Sequence, residues 1–97
     1  MSNNKDKIIY ESITHSGWLS KQPIRIFNIA TSGRGDGAGR AWVYDGDVQN
    51  GKLIIHIISA NWYTQQLHFP DGIPVKRGCY VKISDTTPLV VIGFKYE

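Results

Sequence analysis

Between Lys7 and Tyr96, apolar residues recur at every second position in a series of short segments, and no stretch of about ten residues holds the 3.6-residue period of a helix. This alternation constrains the chain more than any other feature. Successive side chains of a strand point to opposite faces, and a strand with one apolar face must bury it against a second layer. The pattern is sharpest near the C-terminus. Cys79, Val81 and Ile83 share one face while Tyr80, Lys82 and Ser84 share the other; Val90, Ile92, Phe94 and Tyr96 then oppose Leu89, Val91 and Lys95. Between them, Asp85-Thr86-Thr87-Pro88 carries turn chemistry, with Pro88 acceptable only where a strand begins. The expectation is a C-terminal hairpin of two paired strands with no catalytic group on it.

Earlier segments repeat the theme. Residues 1 to 6 are polar and read as a mobile tail. Lys7 to His15 alternates Ile9, Glu11 and Ile13 against Ile8, Tyr10, Ser12 and Thr14, as an edge strand or docking arm would. Trp18 to Thr31 is extended around Pro23. Ser32 to Arg40 contains four glycines, which make regular structure entropically costly, so a flexible loop is expected. Ala41 to Tyr44 is a short strand, followed by Asp45-Gly46 and Asn50-Gly51 turn signals. Lys52 to Ser59 places Leu53, Ile55 and Ile57 opposite Ile54, His56 and Ile58. Trp62 to Phe69 alternates less cleanly before a Pro70-Asp71-Gly72 turn.

Isoleucine, valine, threonine and aromatics outweigh alanine, leucine and glutamate, a bias toward sheet. A chain of 97 residues makes one domain. The reading is therefore all-β: residues 1–16 form an arm or edge strand, and residues 17–97 form an antiparallel β-sandwich, jelly-roll-like fold or small barrel of seven to eight strands.

The formal charge of +3 is spread along the chain rather than striped, so nucleic acid is not an expected partner. The single cysteine, Cys79, cannot form an internal disulfide and points to folding in a reducing compartment. The N-terminus lacks the apolar core of a signal peptide, and no apolar run approaches the roughly 20 residues that span a bilayer. A soluble protein with no membrane partner is expected.

No catalytic, cofactor-binding or metal-binding set emerges. His15, His56 and His68 show no ligand spacing, and Cys79 lies on an apolar face with no base placed beside it. Asp45-Gly46-Asp47 begins like a calcium loop, but its twelfth position is His56 instead of glutamate. Gly33-x-Gly35-x-x-Ala38 follows no βαβ pattern and precedes no helix, so it is no dinucleotide fingerprint. Arg34-Gly35-Asp36 spells the tripeptide of integrin ligands, although three residues recur often by chance. The candidate partner contacts are Tyr10, Trp18, Arg34, Asp36, Arg40, Trp62 and Tyr63. The arginines would touch a neighbouring subunit, and the aromatics belong to types enriched at interfaces. Trp62-Tyr63 is the pair expected at the surface, while most other aromatics are expected as core or interface anchors. A stacking platform for sugar or single-stranded nucleic acid, using Trp62, Tyr63 and Tyr80, is the rival reading.

From Gly17 to Tyr96 the order of short motifs resembles a family of small virion proteins of tailed bacteriophages, known as structural or head-decoration proteins. The motifs are the Ile24 to Ile29 strand, Val43-Tyr44-Asp45-Gly46, and Gly51-Lys52-Leu53-Ile54-Ile55. Phe69-Pro70 with Gly72-Ile73, Lys76-Arg77-Gly78-Cys79-Tyr80-Val81 and the closing Val90 to Tyr96 strand complete the set. The long Gly/Arg/Asp loop and the N-terminal extension depart from the family pattern. The resemblance implies a compact β-fold and a non-enzymatic protein made in the host cytoplasm and carried on the virion. It also implies a homo-oligomer bound to the major capsid protein or other virion proteins; a trimer suits the three-fold positions of an icosahedral lattice. A tail adaptor or fibre-associated role is the alternative within that class.

Overall fold

The computed structural model describes residues 7–97; the tail expected at residues 1–6 lies outside the described residues. Eight strands carry the described residues: β1 (Ile9–Ile13), β2 (Gly17–Ser20), β3 (Ile24–Ser32), β4 (Gly39–Asp45), β5 (Lys52–Ser59), β6 (Thr64–Val75), β7 (Cys79–Ile83) and β8 (Val90–Tyr96). All pairings between them are antiparallel, and they nest: β4 with β5, β3 with β6, β2 with β7, β1 with β8. The two halves of the chain thus form one long ribbon closed by the β4–β5 turn. Lateral pairing of β3 with β8 and of β4 with β7 wraps that ribbon into two four-stranded sheets, β1-β8-β3-β6 and β2-β7-β4-β5. Every link except β4–β5 crosses from one sheet to the other. This is the strand order of a jelly roll, an all-β sandwich.

The alternation explains the core. Ile24, Ile26, Ile29, Val75, Val90, Ile92 and Phe94 project inward from the first sheet and meet Ala41, Val43, Ile55, Ile57, Cys79 and Val81 of the second. All of them are at most 5% exposed, and β-branched residues dominate because they fit a pleated surface.

The expected C-terminal hairpin does not form. β7 and β8 lie in different sheets and do not pair with each other; each presents its apolar face to the shared core from the opposite side. The link that crosses between them is tied to β4. Thr87, 5% exposed, accepts from the Arg40 N–H at 2.8 Å and donates to the Arg40 carbonyl at 3.1 Å.

Pro70-Asp71-Gly72 is likewise no strand-ending turn. It belongs to a bulge inside β6, where the pairing jumps from Ile26–Ile73 to Asn28–His68. β6 is an edge strand, so its prolines remove no obligatory ladder donor. Across from the insertion, β3 shifts parity: Ile24 and Ile26 point inward before it, Ile29 and Thr31 after it. A second bulge at Ile54 pairs Leu53 with Tyr44 and turns Leu53 outward, 46% exposed, against the expected face.

Candidate functional site: the loop end of the sandwich

Because the strands run antiparallel, the links 14–16, 33–38, 60–63 and 84–89 gather at one end of the sandwich. The glycine-rich link, expected to be flexible, is instead latched to its neighbours. The Gly33 N–H donates to the Tyr63 carbonyl at 3.1 Å and the Arg34 N–H to the Thr86 carbonyl at 3.2 Å. The Gly37 N–H closes the loop on the Arg34 carbonyl at 3.1 Å, and Thr86 Oγ1 donates to the Ala38 carbonyl at 2.5 Å. Glycine removes side-chain bulk here and lets three links approach closely. A Cβ on Gly35 would sit 2.0 Å from the Trp62 indole.

Trp62 is held unusually. Its φ is +68°, in the left-handed region that disfavours residues with a Cβ, yet it is 80% exposed and contributes nothing to the core. The Tyr63 N–H bonds to the Ala60 carbonyl at 3.1 Å, and Asn61 Nδ2 reaches the Gly35 carbonyl at 3.4 Å, so the turn is fixed from both sides. Tyr63 beside it is 70% exposed. Two large aromatics therefore project from a braced turn into solvent.

Arg34 and Asp36 do not splay apart as an integrin-type tripeptide would. They pair with each other at 3.3 Å, and the Arg34 guanidinium also donates to the Asp85 carbonyl at 3.0 Å. His15, Ser16, Arg34, Asp85 and Pro88 border a polar cleft of about 390 Å³ alongside. Among the seven candidate contacts, Arg34, Asp36, Trp62 and Tyr63 come together at this end. Arg40 starts β4 just below it, with its backbone held by Thr87. Tyr10 and Trp18 lie elsewhere, on the outer faces of the two sheets. Tyr10 rims a shallow groove over Ala30 and Val91, and the bare backbone of Gly93 lies under its ring. Trp18 meets Tyr80 edge-on at 5.4 Å.

The outer face of the second sheet carries aromatics that the sequence reading expected as core or interface anchors. Trp42, Tyr44 and Tyr80 alternate with buried Ala41, Val43, Cys79 and Val81, so their outward direction is written in the same period-2 pattern. Among them, Trp42 offers no free face for stacking. On the strands flanking Trp42, His56 stacks at 5.0 Å and 11°, and the Lys82 ammonium lies 5.2 Å from the ring, so its two faces are occupied. A base or sugar needs a free face.

Among the described residues, no three His, Cys, Asp or Glu side chains gather closely enough for a metal ion. His56 and His68 sit on strands of opposite sheets. The Cys79 thiol is pushed up to about 12, first by burial and then by the nearby Asp45 carboxylate, so it stays protonated and unreactive. No family model, curated protein or solved structure matches the chain. No helix among the described residues is long and apolar enough to cross a membrane.

Proposed function

We propose that the chain is a non-catalytic adhesive subunit, and specifically a structural virion protein of a tailed bacteriophage that decorates the capsid by binding the major capsid protein lattice as an oligomer. The observation that carries this reading is Trp62. A left-handed backbone conformation at a residue with a Cβ costs about 1–2 kcal/mol, and here it holds out an indole that lies outside the core and stays 80% exposed. Such strain is understandable where the ring fills a pocket on another protein, since rigid aromatic anchors dominate binding energy and lose little entropy on docking. The phage assignment adds the order of sequence motifs from Gly17 to Tyr96.

In this role the sandwich acts as a stiff spacer. Each copy contributes a modest contact through Trp62 and Tyr63, and many copies on a lattice sum to a strong attachment. Mass spectrometry of purified virions tests the reading. A decoration protein is recovered at on the order of hundreds of copies per particle, a tail component at a few rings' worth; absence or trace recovery rejects both.

One observation favours a second reading. Trp62, unlike Trp42, keeps most of its ring bare, and Tyr63 adjoins it, so a glycan or an unpaired base could stack there. Titration of tryptophan fluorescence with glycans and oligonucleotides at low salt separates the two: saturable quenching supports the module, and a flat response removes it.

A further inference from the structure

A jelly roll has four edge strands, and here three of them are guarded. β1 and β2 are only five and four residues long, and the β2 pairing shifts register at Leu19. β6 is long, but the insertion at residues 69–72 breaks it, and Pro70 and Pro74 remove donors. Short length, bulges and proline are the usual means by which sheet edges avoid pairing with other chains. β5 has none of these on its open side: eight residues, Lys-Leu-Ile-Ile-His-Ile-Ile-Ser, with no proline, no glycine and no charge after Lys52. Its bulge faces β4, and among the described residues no strand lies along its other side. Leu53 and Ile58, each 46% exposed, stand on the outer face beside that edge.

We propose that β5 is the seam of a two-fold dimer, in which the β5 strands of two copies of this chain pair antiparallel and join their second sheets into one eight-stranded sheet. Unpaired strand backbone is satisfied by another strand, and this strand is complementary to itself. A register centred on His56 matches outward with outward and inward with inward from Ile54 to Ile58. It sets His56 against its own copy, Ile58 against Ile54, and Ile55 against Ile57. Antiparallel pairing also sends the two Lys52 charges to opposite ends, whereas parallel pairing would bring them together. A two-fold contact of this kind uses up both open edges and leaves only guarded ones, so the assembly closes as a dimer and does not grow into fibres. The proposal goes beyond the attachment reading and does not depend on it, since it concerns self-association alone.

Sedimentation of the full chain, followed over a concentration series, tests it. The dimer predicts a species of about 22 kDa, twice the 10.9 kDa chain. His56→Lys and His56→Glu each place like charges across the two-fold axis and should each weaken self-association at least about tenfold, while an equimolar mixture restores it. Circular dichroism verifies that the variants fold. In the unmutated chain, amide exchange provides a second reading that needs no variant: those amides between Ile54 and Ile58 that face away from β4 should slow as concentration rises, with the β1 and β6 edges unchanged. A wild-type monomer at about 1 mM, a trimer, a dimer insensitive to both charge variants, or β5 exchange independent of concentration would each overturn the proposal.

Discussion

The two ends of this sandwich solve the same problem differently. At both, links between strands must satisfy their backbone and close over the core. At the end formed by residues 21–23, 46–51 and 76–78, the solution is compact and polar. Asp45 Oδ1 accepts from the Lys76 and Arg77 N–H groups at 3.1 and 2.8 Å, the Gly46 N–H bonds the Gly78 carbonyl at 2.7 Å, and Arg25 pairs with Glu97 at 2.9 Å. The left-handed positions there are glycines, Gly46 and Gly78, where such backbone is free of steric cost. At the opposite end the left-handed position is Trp62, and the core beneath holds two buried hydroxyls without partners, Thr31 Oγ1 and Ser59 Oγ. One end is built for stability. The other combines strain and imperfect packing with exposed aromatics, the pattern that the proposed attachment role would produce.

This contrast can be broken or sharpened by experiment. The largest effect should come from alkali acting on the closed end. The Cys79 thiol has a folded pKa of about 12 against an unfolded value of 9.0. The neutral form is thus the one the fold favours, and its contribution is complete below pH 9 and lost as pH rises toward 12. The loss is about 1.4 kcal/mol per pH unit, roughly 4 kcal/mol in total. Denaturant unfolding from pH 8 to 12 should show wild type losing its stability advantage over Cys79→Ala across that window; parallel profiles would contradict the burial.

Next come the two clasps. Thr87→Val leaves the Arg40 N–H without its partner in a part-buried site and should cost about 3 kcal/mol. Asp45→Ala removes two bonds of similar kind, but the freed N–H groups face water, so about 1 kcal/mol is expected. Urea midpoints of the two variants decide the order, and a larger loss for Asp45→Ala would contradict the burial of the Arg40 N–H against the exposure of those of Lys76 and Arg77. Thr31→Val fills the same space without a buried hydroxyl that lacks a partner and should raise stability by about 1 kcal/mol. Smallest of all, Trp62→Gly exchanges relieved strain for lost ring contact with Gly35 and should shift the unfolding midpoint by less than about 1 kcal/mol.

Much of the sandwich was legible because burial follows period 2. Cys79 and Val81 of β7 and Val90, Ile92 and Phe94 of β8 are buried as the alternation requires, while at the strand ends Ile83 is half-buried and Tyr96 exposed. Strand partnership was not legible. A short polar link between two half-apolar strands fits a hairpin and a crossing between sheets equally well; the hydrogen bonds of Thr87 to Arg40, 47 positions away in sequence, belong to the crossing. The bulges at Ile54 and residues 69–72 were hidden for a related reason, since an extra residue leaves composition unchanged while reversing every face beyond it. At the site, Trp62 and Tyr63 are exposed as expected, but they lie in the link before β6, which begins at Thr64, and not in the extended segment read from Trp62 to Phe69. The latching of the glycine-rich link was not legible, because its partners Tyr63 and Thr86 are brought close only by the complete fold.

The central claim is that the loop end exists to be covered by another protein. Hydroxyl-radical footprinting of the free chain and of purified virions measures this directly. The account predicts that the chain is present on the particles, with Trp62 and Tyr63 protected at least about tenfold relative to the free chain and the turns at residues 46–51 labelled equally in both. Equal labelling of Trp62 in the two states, or particles lacking the chain, would contradict it.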